Sequence, residues 1–177
     1  MKAATPHIVS ALILACLGAA AAYGQDGKVE SVDRLYKQES TGLRHYDRGN
    51  YEKAFENLST TAARGFKESQ YILAFMFLKG QHVETSLVLG MGWLGVAIES
   101  EEPEWIELYH SIYQRATPEQ RQLIDVKVSQ YIQQFGLVTQ NVTCSRRPSA
   151  GTRRIESRCI KDAEKISPIY PVELGSE

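Results

Sequence analysis

Histidine and cysteine are scarce in this chain of 177 residues, with four of the first and three of the second. His7 lies near the N-terminus, His45, His82 and His110 fall in three separate segments, and none sits in a HExxH or comparable spacing. A zinc site wants four clustered ligands, so no metal and no cofactor are expected. Gly-x-Ser-x-Gly and phosphate-loop sequences are also missing, which removes the nucleophile elbow and the P-loop from consideration. Neither sign of charge is in excess. The 20 Lys and Arg residues stand against 21 Asp and Glu, for a net charge of −1. Wholesale nucleic-acid binding needs a strongly basic balance and is therefore not expected. Beyond the N-terminus no apolar run reaches the roughly 18 residues of a membrane-crossing helix.

What is present begins with an export signal. Met1-Lys2 is a short basic start, and Ile8 to Ala22 is apolar except for Ser10. Ala20-Ala21-Ala22 and Ala22-Tyr23-Gly24 both offer small residues where a signal peptidase reads. Residues 1–24 therefore read as a secretory signal, cleaved after Ala22 or Gly24, and the location as periplasmic or secreted. The alternative is a lipoprotein box, Ile13-Leu-Ala-Cys16, with anchoring through Cys16. Against it, the apolar run continues past Cys16, and Leu14 is bulky for such a box. With Cys16 gone, Cys144 and Cys159 remain, an even count that in an exported chain reads as one disulfide. Closing a loop of about 15 residues contributes roughly 3 kcal/mol on the chain-entropy account.

Residues 25–136 read as one helical domain. Helices are expected from about Ser31 to Arg48, Tyr51 to Arg64, Lys67 to Lys79, Glu84 onward, Pro103 to Ala116, and Thr117 to Phe135, each with apolar residues at helical spacing. Gly49-Asn50, Gly65, Gly80 and Gly136 punctuate them. The expected stripes are Tyr71, Ala74, Phe75 and Leu78 in the third helix, and Trp105, Leu108, Tyr109, Ile112 and Tyr113 in the fifth. In the sixth the core face is Leu123, Ile124, Val128, Tyr131, Ile132 and Phe135. Thr117-Pro-Glu-Gln120 has the form of a capping box with proline at the first helical position. Leu87 to Ile98 carries no polar side chain but holds Gly90, Gly92 and Gly95. A helix apolar all round is buried on several sides, and glycines in it point to close helix approach.

The tail, 137–177, is different. Val138–Val142 reads as extended, Cys144–Cys159 as a stapled hairpin or loop, and Ser167–Val172 as extended and exposed because Pro168 and Pro171 forbid helix. Residues 144–165 hold seven basic residues and three acidic ones. Arg146, Arg147, Arg153, Arg154 and Arg158 make this loop a candidate contact for an anionic envelope component. No aromatic residue is interleaved, which weighs against single-stranded nucleic acid.

Gly49 and Gly80 lie 31 residues apart, each closing the first helix of a pair, a period typical of helical solenoids. The first copy, with Gly42, Gly49-Asn50-Tyr51, Ala54, Phe55 and Leu58, resembles a tetratricopeptide repeat. The second, with Ser69-Gln70-Tyr71, Leu73-Ala74, Phe77, Gly80, Val83 and Trp93, resembles the Sel1-like variant. His82 replaces the second glycine of that variant's turn, Ser86 its aspartate and Gly90 its alanine. The likeness covers about residues 41–100. It implies an all-α fold, a short right-handed array of about three antiparallel helix pairs with an irregular stapled tail. It further implies partner binding on a concave face lined by the first helix of each pair. On that analogy Arg44, His45, Lys67 and Gln70 form the candidate surface. Pro168-Ile-Tyr170-Pro171 resembles the opening of a TonB-type energy-transducer domain.

These readings lead to an expected non-catalytic scaffold of the bacterial cell envelope that binds another protein. Two alternatives stand beside it. One is a cell-envelope hydrolase or its accessory, which would need Glu101–Glu107 and His110 around a deep pocket. The other is a truncated relative of the TonB-type transducer.

Overall fold

A computed structural model describes residues 31–148, 155–165 and 167–174. The expected signal, residues 1–24 with Cys16, and Arg153 and Arg154 lie outside the described residues. Six helices are present among them: α1 (Val32–Asp47), α2 (Tyr51–Ala62), α3 (Lys67–Lys79), α4 (Leu87–Ala97), α5 (Pro103–Arg115) and α6 (Pro118–Phe135). A 3-10 turn, Ile98–Ser100, follows α4. No helix among the described residues is long and apolar enough to cross a membrane.

Local chemistry sets several of these ends. Thr117 Oγ1 accepts the Gln120 N–H while Gln120 Oε1 accepts the Thr117 N–H, completing the capping box of α6. α4 opens at Ser86, whose Oγ accepts from Leu89 N–H, rather than at Glu84.

α4 is the hub. It packs on α3 along one side and on α6 along the other, and everything from Leu89 to Ala97 is buried. Its glycines serve both contacts. A Cβ on Gly90 would meet Leu78 of α3 at 2.6 Å, and one on Gly95 would meet Val128 of α6 at 2.5 Å. α6 therefore has one seated side, Ile124, Val128, Tyr131 and Phe135, with Trp93 stacked on Phe135 at 4.7 Å. Leu123, expected in the core, is 58% exposed, and Ile132 is also exposed, because α6 has a neighbour on one side only. α3 differs from expectation in the same way. Leu73, Ala74, Met76 and Phe77 are buried, while Tyr71, Phe75 and Leu78 are half-buried. α5 buries no residue fully. Its Trp105 stacks on Tyr71 at 4.3 Å with rings 11° from parallel.

The tail corrects the all-α expectation. β1 (Val142–Pro148) and β2 (Ile155–Lys161) form an antiparallel two-stranded sheet with Cys144 opposite Cys159, joined by a disulfide. Residues 137–140 turn instead of extending. Residues 167–174 have no helix or strand, as expected, but they are seated on the body. Ser167 is buried among Gln140, Asn141 and Lys161, Tyr170 packs on Phe135, and Glu173 pairs with Lys127 at 2.8 Å.

Candidate functional site

A cleft of about 450 Å³ lies between α1, the start of α3, the connection into α5, and β2. Tyr36 and Glu39 come from α1, and Phe66, Lys67 and Glu68 from the α3 start. Ser100 and Glu102 come from the connection, Glu104 and Trp105 from the first turn of α5, and Glu156 to Cys159 with Lys161 from β2. Gly65 brings the two walls together. It holds φ +86°, and a Cβ there would stand 2.7 Å from Gln140 Cβ and 2.9 Å from Val142 Cγ2. A side chain would push the root of the hairpin away from the α2–α3 corner.

Two polar networks hold the helical wall. The residue before α3 is Phe66, which has no side-chain oxygen to cap the helix. Glu39 supplies it from α1: its Oε1 accepts from Ser69 N–H at 3.3 Å and Ser69 Oγ–H at 2.9 Å. A carboxylate there also meets the positive end of the helix dipole. Burial nevertheless pushes the Glu39 carboxyl above its ordinary pKa, with the Ser69 bonds acting against that shift. Deeper in, Lys67 Nζ donates to Glu99 Oε2 (2.8 Å), Val96 O (2.9 Å) and Gln70 Oε1 (3.0 Å). Gln70 Nε2 donates to Ala62 O and Phe135 O, both at 2.9 Å. The set ties the ends of α2, α4 and α6 to the first turn of α3, and burial lowers the Lys67 pKa. Three bonds are what an ammonium needs when taken out of water.

The hairpin wall presents a strand edge. Ser157 N–H donates to Glu102 Oε2 and Lys161 N–H to Tyr36 Oη, each at 3.3 Å, so both backbones point away from β1. Antiparallel alternation turns Cys159 the same way. Ser157 Oγ donates to Ser100 O. Ser100 itself is 3% exposed, and its Oγ is buried with no hydrogen-bond partner.

Carboxylates dominate the lining. Glu39, Glu68, Glu102, Glu104 and Glu156 share it with Lys67, Arg158 and Lys161, and Lys67 is committed to Glu99. The protein around Glu68 raises its carboxyl pKa, and the charge of Glu102 raises it further. Lys161 is pushed down to about 8, by burial first and then by Arg64. Its Nζ donates to Gln140 O at 2.6 Å and Ser167 Oγ at 3.1 Å. Such a lining suits a bound cation. The buried ring of Phe66, beside Tyr36, and the half-buried ring of Trp105 add apolar and π surface.

The residues expected to form a partner surface are not brought together. Lys67 is 4% exposed and Gln70 0%. Both are internal staples, because an interior junction of three helix ends needs exactly such donors and acceptors satisfied. Arg44 is exposed and bonds Ser40 and Thr41 of its own helix, and His45 is half-buried. Arg146 and Arg147 are exposed on β1, and Arg158 on β2 borders the cleft. Of the acidic run at α5, the cleft takes Glu102 and Glu104 but not Glu101, Glu107 or His110.

Sequence reasoning missed Tyr36, Glu39, Glu68, Ser100 and Trp105 as site residues. One signal was available. Glu39 sits in the polar middle of a helix whose flanking Leu35 and Gly42 are both buried. No family model matches the chain, and neither a curated protein nor a solved structure matches it.

Proposed function

We propose that this chain is an exported, non-catalytic interaction scaffold of the bacterial cell envelope, built from tetratricopeptide- or Sel1-like helix pairs. In this reading a partner protein docks in the cleft between α1, α3 and β2. The observation that carries it is the cleft itself, an opening of about 450 Å³ framed by helices and a stapled hairpin. Its side chains are charged, hydroxyl-bearing and aromatic, and its one sulfur is tied up in Cys144–Cys159. Export is supported by the apolar N-terminal run and by the disulfide, a bond that persists in oxidising compartments.

The test uses the full chain, expressed for export and immobilised in oxidised form beside a Glu68→Lys/Glu102→Lys variant. Cell-envelope proteins retained by the first and lost from the second support the reading. Equal recovery on both baits would overturn it.

The hydrolase alternative has one observation in its favour, two cleft carboxyls with raised pKa, Glu39 and Glu68. Such groups can act as general acids. Incubation with isolated cell-wall polymer decides it. Soluble fragments released by the native chain, and abolished by both Glu39→Gln and Glu68→Gln, would replace the scaffold reading.

A further inference from the structure

We infer that the cleft takes an extended, lysine- or arginine-bearing segment of the partner, which pairs with β2 as a third strand and sets its cations against Glu68 and Glu102. This rests on the scaffold reading above and names the chemistry of its ligand.

Three independent observations converge. The first is the strand edge. The outward N–H groups of Ser157 and Lys161 are met by side chains, Glu102 and Tyr36, at 3.3 Å. That is longer than an ordinary N–H···O bond of about 2.7–3.2 Å. These acceptors stand where a neighbouring strand would place its carbonyls, and a peptide backbone can replace them with shorter bonds. Pairing with an exposed edge is a general way for a protein to hold an extended peptide. β1 is the poorer edge, since Arg146 and Arg147 are exposed along it and Pro148 ends it.

The second observation is charge. Five carboxylates line the cleft, against Arg158, Lys161 and the already paired Lys67. Glu68 and Glu102 both line it, and the charge of Glu102 adds to the burial that raises the Glu68 pKa. A cation between them offsets that charge. Side chains alternate along a strand, so every second residue of an added strand turns toward the helical wall that carries Glu39 and Glu68. Trp105, at the same rim, offers ring surface to the stem or the charge of a lysine or arginine.

The third is Ser100. Its Oγ is buried without a partner, and the residue lines the cleft beside the Ser157 contact. A buried hydroxyl left unsatisfied is uncommon in a folded protein. A ligand donor or acceptor reaching the cleft floor would satisfy it.

The probe is a fluorescein-labelled, eight-residue peptide of alternating valine and lysine, capped at both ends and titrated against the full oxidised chain by fluorescence anisotropy. The expected result is saturable binding that weakens with salt. It should weaken about tenfold in Glu68→Gln/Glu102→Gln, which removes charge and keeps the Glu102 acceptor. The valine–glutamate counterpart should not bind. A valine–lysine peptide N-methylated at alternate residues keeps its charge but cannot pair along one edge, and it too should lose binding. Equal binding by the N-methylated or the acidic peptide, or no binding up to about 1 mM, would overturn the inference. Circular dichroism of the double variant checks that its fold is intact. Should the peptide fail while the cleft still retains a partner from envelope extract, the inference falls and the scaffold reading stands.

Discussion

Of the α4 glycines that face α6, Gly95 leaves the least room for a Cβ, and replacing it with alanine tests the packing directly. An alanine Cβ would lie 2.5 Å from Val128 Cγ2, 2.8 Å from Cγ1 and 3.2 Å from Cβ. Carbon atoms sit comfortably at about 3.5–4.0 Å, so a separation of roughly 1 Å must be found. Val128 is β-branched and nearly fixed in one rotamer on a helix, so it cannot swing clear. The helices must part, at a cost of about 1–3 kcal/mol for overpacking. Alanine returns about 0.8–1 kcal/mol of helix propensity. The net expectation for Gly95→Ala is a loss of about 0–2 kcal/mol, read as a fall in Tm of up to roughly 8 °C by calorimetry. Val128→Ala opens the space, so the double variant should be more stable than the sum of the singles by about 1 kcal/mol. Gly92→Ala is the control. Its nearest neighbour is the flexible Lys127 stem at 2.7 Å, and the loss should be smaller despite Tyr131 at 3.1 Å. A Gly95→Ala variant that gains stability, or a cycle that is additive within about 0.3 kcal/mol, would refute the close approach.

Three other substitutions address the polar parts of the fold. Lys161 has a folded pKa of about 8 against an ordinary value of 10.5. The unfolded chain therefore holds its proton over a range where the folded one does not, and stability should rise from pH 8 toward pH 10. Lys161→Met should flatten that rise in urea titrations, which must stop below pH 10 because the raised Tyr46, Tyr71 and Tyr109 act in the opposite sense above it. Gln70→Ala takes one of three acceptors from Lys67 Nζ and removes the side-chain donor to Ala62 O and Phe135 O, and should cost about 1–3 kcal/mol in the same assay. His82 holds φ +68°, a conformation that costs an L-residue about 1–2 kcal/mol. His82→Gly should therefore leave stability unchanged or raise it, despite loss of the ring contact with Phe55 at 5.7 Å.

What could be read in advance follows from how local each cause is. The capping box at Thr117 and the turn before α2 depend on neighbouring residues, and they stand where the pattern placed them. His82 lies in the left-handed region that glycine adopts most readily, although it carries a ring. The stripe of α3 was misjudged because a helix touched on several sides loses the contrast that periodicity depends on. The repeat resemblance places Lys67 and Gln70 on a concave surface, as polar residues of the first helix of a pair, whereas both are buried. Only the meeting of three helix ends, far apart in sequence, gives them an interior role. The hairpin could not be told from a loop, since its strands are short and its register comes from the disulfide and the body beneath. The cleft was least legible. Its walls come from four separated segments, and the one or two glutamates that each supplies do not read as one site until the chain folds.

The cap that Glu39 places on α3 has a further consequence, for motion. α1 fully buries only Leu35 and Gly42 and packs chiefly on α2. Yet it supplies one wall of the cleft through Tyr36 and the acceptor for the first turn of α3. When α1 detaches, the cleft loses that wall and α3 loses its cap in the same event, so the two form one opening unit. Filling the cleft should therefore slow hydrogen exchange at amides in α1 and at Ser69, even where no ligand touches them. Exchange unchanged at those amides, with the cleft saturated, would show that the wall and the helix open separately.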